Sequence, residues 1–165
     1  MVHIPPEAAY WVALAHLSKW NRGKINDFFD RLLRNHFVFQ DFFGLKPEEW
    51  ESLFRLSIDD IHTLITIREK LPYYITLVNT IYEQGCEVIP VHSKFYSAYL
   101  REKLGKGYAP TILYTKGNTA LLNYPSVSIF GSDHGSVSGL IFSQNLIRRF
   151  VQENLVLVTS FDPGY

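Results

Sequence analysis

Gly131, Ser132, Ser136 and Gly139 are residues whose types and spacing could hold an anion. They belong to Gly131-Ser132-Asp133-His134-Gly135-Ser136-Val137-Ser138-Gly139, which follows the apolar run Val127-Ser128-Ile129-Phe130. A helical run from Leu140 to Glu153 comes next, and then a second apolar run, Leu155-Val156-Leu157-Val158-Thr159. A glycine- and serine-rich turn opening a helix can present backbone N–H groups and hydroxyls to phosphate oxygens. A purely structural reading competes with this one: the glycines permit a tight strand-to-helix turn, and Ser136 caps the helix. The turn has neither a Walker lysine nor a strict Gly-x-Gly-x-x-Gly. His134 could assist an anion when protonated, or simply be solvated.

A second set of candidates lies upstream. Arg101, Lys106 and Lys116, with Lys94 and Lys103, interleave with Tyr96, Tyr99, Tyr108 and Tyr114. Cations that track a backbone and rings on which bases stack are the composition of a single-strand groove. Tyr99 and Tyr114, however, lie in apolar patterns that equally suit a core. Residues 92–118 carry five Lys/Arg against Glu102 alone, whereas residues 1–91 carry nine Lys/Arg against twelve Asp/Glu. The whole chain balances to a net charge of 0, so bulk charge points to neither nucleic acid nor membrane. A local basic patch and an ordinary solvated face both fit residues 92–118.

No serine, cysteine or carboxylate stands in a recognisable nucleophile motif. The pair Asp59-Asp60 falls at a helix start, where dipole compensation accounts for it. No enzymatic activity is expected. The histidines show no ligand spacing, and the single cysteine, Cys86, excludes an internal disulfide and a cysteine-based zinc site. Neither metal nor cofactor is therefore expected, and Cys86 reads as a buried, inert thiol.

Elements able to position these groups can be read along the 165 residues, 47% of them hydrophobic and 19% charged, which is ample for a packed core. Pro5-Pro6-Glu7 reads as a helix start, followed by Tyr10, Trp11, Leu14 and Leu17 at helical spacing. Asn21-Arg22-Gly23 reads as a break. A second helix fits Lys24 to Asn35, with Ile25, Phe28, Phe29, Leu32 and Leu33 on one face. A short helix over Phe37–Phe43 closes at Gly44, and Lys46-Pro47-Glu48-Glu49-Trp50 opens another. Ser57-Ile58-Asp59-Asp60 caps a helix that runs to about Gln84, with Pro72 as a kink or a break. At Gly85 the pattern changes to strand (Cys86–Val91), helix (Phe95–Leu104), strand (Thr111–Thr115) and then the unit described first. Strands alternating with helices predict an α/β fold with a mostly parallel sheet over residues 85–165, behind an all-helical module over residues 1–84. No long apolar segment suggests a membrane span and no signal-peptide pattern opens the chain, so a cytoplasmic protein is expected.

The residues from 85 onward resemble the DNA-processing protein A family (DprA, also called Smf). Tyr96-Ser97-Ala98-Tyr99-Leu100-Arg101 is similar to that family's Tyr-Pro-x-x-Leu-Arg segment, save for the proline. Pro110-Thr111-Ile112-Leu113-Tyr114-Thr115-Lys116-Gly117 follows its Pro-x-x-Leu-Tyr-x-x-Gly. Leu121-Leu122-Asn123-Tyr124-Pro125-Ser126-Val127-Ser128-Ile129-Phe130-Gly131-Ser132 follows its Leu-Leu-Asn-x-Pro-x-Val-x-Ile-Val-Gly-Ser, and Ser136 and Gly139 fall on its next Ser and Gly. The family's arginine after Gly-Ser is Asp133 here, a charge reversal that should repel phosphate. Its Val-Ser-Gly-Leu-Ala-x-Gly-Ile-Asp motif is eroded to Val158-Thr159-Ser160-Phe161-Asp162-Pro163-Gly164-Tyr165.

This resemblance implies the first part of a Rossmann-like domain behind a helical module of the SAM or helix-hairpin-helix kind. It also implies single-stranded DNA as ligand, a role in DNA uptake and transformation, help in loading the recombinase RecA, and a possible homodimer. The chain reads as a fragment or a shortened paralogue, since the family continues through further βα units. Two alternatives stay open. One is a nucleotide- or phosphate-ligand sensor on the same scaffold; the other is a degenerate paralogue that acts through protein interaction.

Overall fold

The computed structural model describes residues 4–130 and 136–160. It divides into two compact units, residues 1–119 and 120–165. The first is built on helix α1 (Ala8–Ala15), whose sequence AAYWVALA has no charged residue. Ala8, Ala9, Trp11, Val12, Ala13 and Leu14 are all buried. A helix apolar on every side has to be covered on every side. The covering elements are α2 (Arg22–Arg34), α5 (Ile58–Glu83), β1 (Cys86–Pro90) and β2 (Ile112–Lys116), all of which touch α1.

Side-chain hydrogen bonds mark where α2 and two later helices begin. Asn21, read from the sequence as part of a break, accepts a hydrogen bond from Lys24 N at 2.9 Å and opens α2. Between α2 and α5 lie α3 (Phe39–Gly44) and α4 (Pro47–Phe54). Lys46 N donates to the Glu49 carboxylate at 2.7 Å at the start of α4. Ser57 Oγ accepts from Asp60 N at 3.2 Å and opens α5. Pro72 lies inside α5 without ending it. It is exposed, so water can satisfy the carbonyl that its missing N–H leaves behind. Gly85, at φ +73°, takes the left-handed conformation that stops α5 and turns the chain into β1.

An aromatic cluster joins α2, α3 and α4. Phe42 meets Phe28, Trp50 and Phe54 at ring separations of 5.0, 5.5 and 5.0 Å. The Trp50 indole N–H donates to Phe42 O at 2.8 Å, which satisfies the polar end of a fully buried ring.

The pairing of β1 with β2 corrects the expectation of a mostly parallel sheet: the two strands run antiparallel, with Cys86 opposite Lys116 and Pro90 opposite Ile112. The intervening segment leaves and returns at the same end, closed by Val91 N donating to Thr111 O at 2.8 Å. Helix α6 (Ala98–Tyr108) folds back onto α2 instead of crossing to the far end of the ladder. The first unit consequently runs past residue 85, with β1 and β2 as part of the cover of α1.

A 3₁₀ turn at Thr119–Asn123 starts at the last residue of the first unit, and the second unit continues with β3 (Ser126–Ser128), α7 (Val137–Gln152) and β4 (Val156–Val158). β3 and β4 pair in parallel, Ser126 opposite Val156. The fold is thus mixed α/β, with parallel pairing confined to β3–β4 among the described residues.

Phe42→Ala should remove about 3–5 kcal/mol of stability, as expected for a buried aromatic at the centre of a cluster. Leu53→Ser, at a position 60% exposed in the same unit, should stay within about 0.5 kcal/mol of wild type. Urea unfolding followed by far-UV circular dichroism measures both.

Candidate nucleic-acid interface

Ser136 is the N-cap of α7. Its hydroxyl accepts from Gly139 N at 3.1 Å and lies 3.1 Å from Ser138 Oγ. A Cβ at position 139 would come within 3.3 Å of Ser136 Oγ, so glycine leaves room for the cap. The first turn of this 16-residue helix carries no acid, which leaves its positive dipole end uncompensated by its own side chains. Gly131 and Ser132, together with Asp133 and His134, lie outside the described residues.

The basic candidates sit in the first unit and differ in how committed they are. Lys106 Nζ is paired with Asp30, and with Asp27 at 3.5 Å. The hydrogen bond and charge of Asp30, seconded by Asp27, hold its ammonium above the ordinary lysine range. An open depression of about 720 Å³ on this side of α2 is lined by Lys24, Arg31, Arg34 and Lys106. Each of those cations already has a partner: Asp60 for Lys24, the Phe54 carbonyl for Arg31, and Asp30 for Arg34 and Lys106.

Arg101 Nη1 donates to Val91 O at 3.1 Å. Arg101 and Lys106 come together at a cavity of about 270 Å³ that Asn26, Asp30 and His92 also line. Lys116 stands elsewhere: it closes the opposite end of the β1–β2 ladder, roughly 13 Å along the strand from Ile112. Lys116 makes no ion pair among the described residues.

Two residues that organise this region escaped the sequence reading. Asn26 is 3% exposed, and its Nδ2 donates to the carbonyls of Lys106 at 2.8 Å and Ala109 at 3.0 Å. Those carbonyls are at the end of α6, where Gly105 at φ +61° breaks the helical path. A polar residue beside Ile25, Phe28 and Phe29 on the buried face of α2 was the available signal. His92 packs among Trp11, Phe29 and Phe39, at ring separations of 5.8, 5.7 and 6.3 Å. Burial pushes its imidazole below the usual histidine range, and Asp30 partly opposes this.

No protein-family model, curated protein or solved structure matches the chain. The likeness to the DNA-processing protein A family therefore rests on the motif residues themselves. Among the described residues, no group of three or more His, Cys, Asp or Glu side chains could hold a metal ion. No described helix is long and apolar enough to cross a membrane.

Because folding lowers the pKa of His92, the unfolded chain binds its proton first. The stability tied to neutral His92 is present above pH 6.5 and is lost as pH falls below it. His92→Phe keeps the ring contacts and removes the titration. Its unfolding free energy should fall less steeply than wild type between about pH 6.5 and pH 5, the difference being at most about 1.4 kcal/mol per pH unit. Identical slopes in urea titrations would refute this. Separately, Ser136→Ala should cost about 1 kcal/mol of cap energy, visible as roughly fivefold faster hydrogen exchange at the Gly139 amide.

Proposed function

We propose that this is a DprA-like single-stranded DNA-binding protein without enzymatic activity, acting in the cytoplasm in DNA uptake and RecA-dependent recombination. The observation that carries the reading is the parallel β3–α7–β4 unit. Its helix opens at Ser136, where the family has its phosphate-facing turn. On this reading, β3–α7–β4 is a crossover unit of a Rossmann-like sheet. The N-terminus of α7, whose first turn carries no acid, then receives a backbone phosphate.

The charge supply differs from what composition alone implies. Lys106 is neutralised by Asp27 and Asp30, so it contributes little. Arg101, whose bond to Val91 leaves other guanidinium N–H groups to donate, and Lys116 remain as the cations for a strand. Asp133 in place of the family arginine lowers the expected affinity. Homodimerisation and RecA contact belong to the proposal by resemblance only.

A second reading, protein interaction through a degenerate paralogue, is favoured by one feature. Helix α7 has no buried residue, and Val137, Leu140, Phe142 and Val151 are each at least 60% exposed. Large apolar side chains exposed in such number mark surfaces that another protein surface covers.

Anisotropy of a labelled oligonucleotide across a salt series tests the primary reading. Affinity should fall steeply with salt, and Arg101→Gln or Lys116→Gln should each lower the slope by about 0.7. Lys106→Gln should leave affinity within about twofold, because its charge is already compensated. No binding at low salt would rule out the DNA reading. Partner capture unaffected by Gly131 or Ser132 substitutions would favour the second.

A further inference from the structure

His62, Thr66, Lys70 and Tyr74 recur every four residues along α5 and form a single stripe of that helix. The turn leaving α1 brings His16 and Lys19 against this stripe, and a cavity of about 240 Å³ opens between them. Among the described residues, no carboxylate lines it. This is unlike the depression on α2, where every cation is partnered. Among the described residues, Lys19 and Lys70 form no ion pair. Their clustering is local, since residues 1–91 as a whole carry more acids than bases.

One donor is held in place by a neighbouring ring. His16 Nε2 lies 2.8 Å from the Tyr114 hydroxyl, and the two rings stack at 6.2 Å, which fixes the imidazole plane. Burial, reinforced by Tyr73, holds the Tyr74 phenol above its ordinary range, so it stays a protonated donor. Thr66 Oγ1 and Thr63 Oγ1 are turned back to His62 O and Asp59 O at 3.0 and 2.7 Å, so the remaining polar groups on the wall are the lysines, the imidazoles, the phenol and the Ser18 hydroxyl.

We propose that this cavity binds a phosphate group, as carried by inorganic phosphate or a small phosphate monoester. A monoester brings a charge of about −1.5 to −2 at pH 7 and three acceptor oxygens. Two ammonium groups with three donors each, and two imidazoles able to donate, complement that charge and geometry. The site lies wholly within the first unit and does not depend on the DNA-binding reading.

Titration of the full chain with inorganic phosphate and with glycerol phosphate, followed through the histidine ring NMR signals, tests the proposal. The His16 and His62 signals should shift saturably, and chloride at matched ionic strength should not reproduce the effect. Lys19→Gln combined with Lys70→Gln should weaken binding about tenfold, while Lys46→Gln, an exposed lysine on another element, should leave it unchanged. Displacement of bound phosphate by an oligonucleotide lacking terminal phosphates would assign the same chemistry to a nucleic-acid backbone; lack of displacement assigns it to the free monoester. The proposal is overturned by a linear, chloride-like response, or by a double variant that binds as wild type with an unchanged amide spectrum.

Discussion

A helix of eight residues with no charged side chain cannot keep a solvent face, and the first unit follows from that constraint. Burying α1 requires apolar surface from several directions at once. Helix α5 supplies it along the length of α1, α2 supplies it from another side, and the β1–β2 pair completes the cover. Even Tyr10, the residue of α1 with the most polar side chain, stacks on Phe43 at 5.3 Å. The two strands are therefore core elements of the helical unit.

Helix α2 shows how such a core distributes function. Its apolar face sends Phe28 and Phe29 inward, while Asn26, Asp27 and Asp30 address α6. Asn26 collects carbonyls released where Gly105 breaks α6, and the two aspartates take up Lys106. Cations close in sequence therefore differ in what they can offer a ligand. Lys106 is internally neutralised, whereas Lys19 and Lys70, in a stretch that is acidic overall, form no ion pair among the described residues. A phosphate responds to the local arrangement of charges, which the summed charge of a segment does not describe.

The second unit is held differently. Its strands are three residues long, its parallel pair is the minimum for a sheet, and α7 contributes no buried residue. Two-stranded pairs are marginal in water, and none of the buried core residues described lies in this unit. The Ser136 cap and the parallel ladder nonetheless orient the helix N-terminus relative to β3 and β4, the feature on which anion recognition would depend.

Contacts close along the chain were legible in the sequence. The helices before Gly85, the glycine stop, the caps at Ser57 and Ser136 and the strand–helix–strand order around α7 all follow from groups within about four residues of one another. Legibility ended where distant segments had to meet. The antiparallel direction of β1 and β2 was decided by α6 folding onto α2, through an asparagine whose partner lies 80 residues away. The same folding placed Asp30 beside Lys106, buried His92 among three aromatic rings, and set the α1 exit turn against the stripe on α5. Propensity and capping act locally, so the order and type of most elements were determined by the sequence alone. Which charges are cancelled and which remain available depends on through-space proximity, and only the tertiary structure decided that.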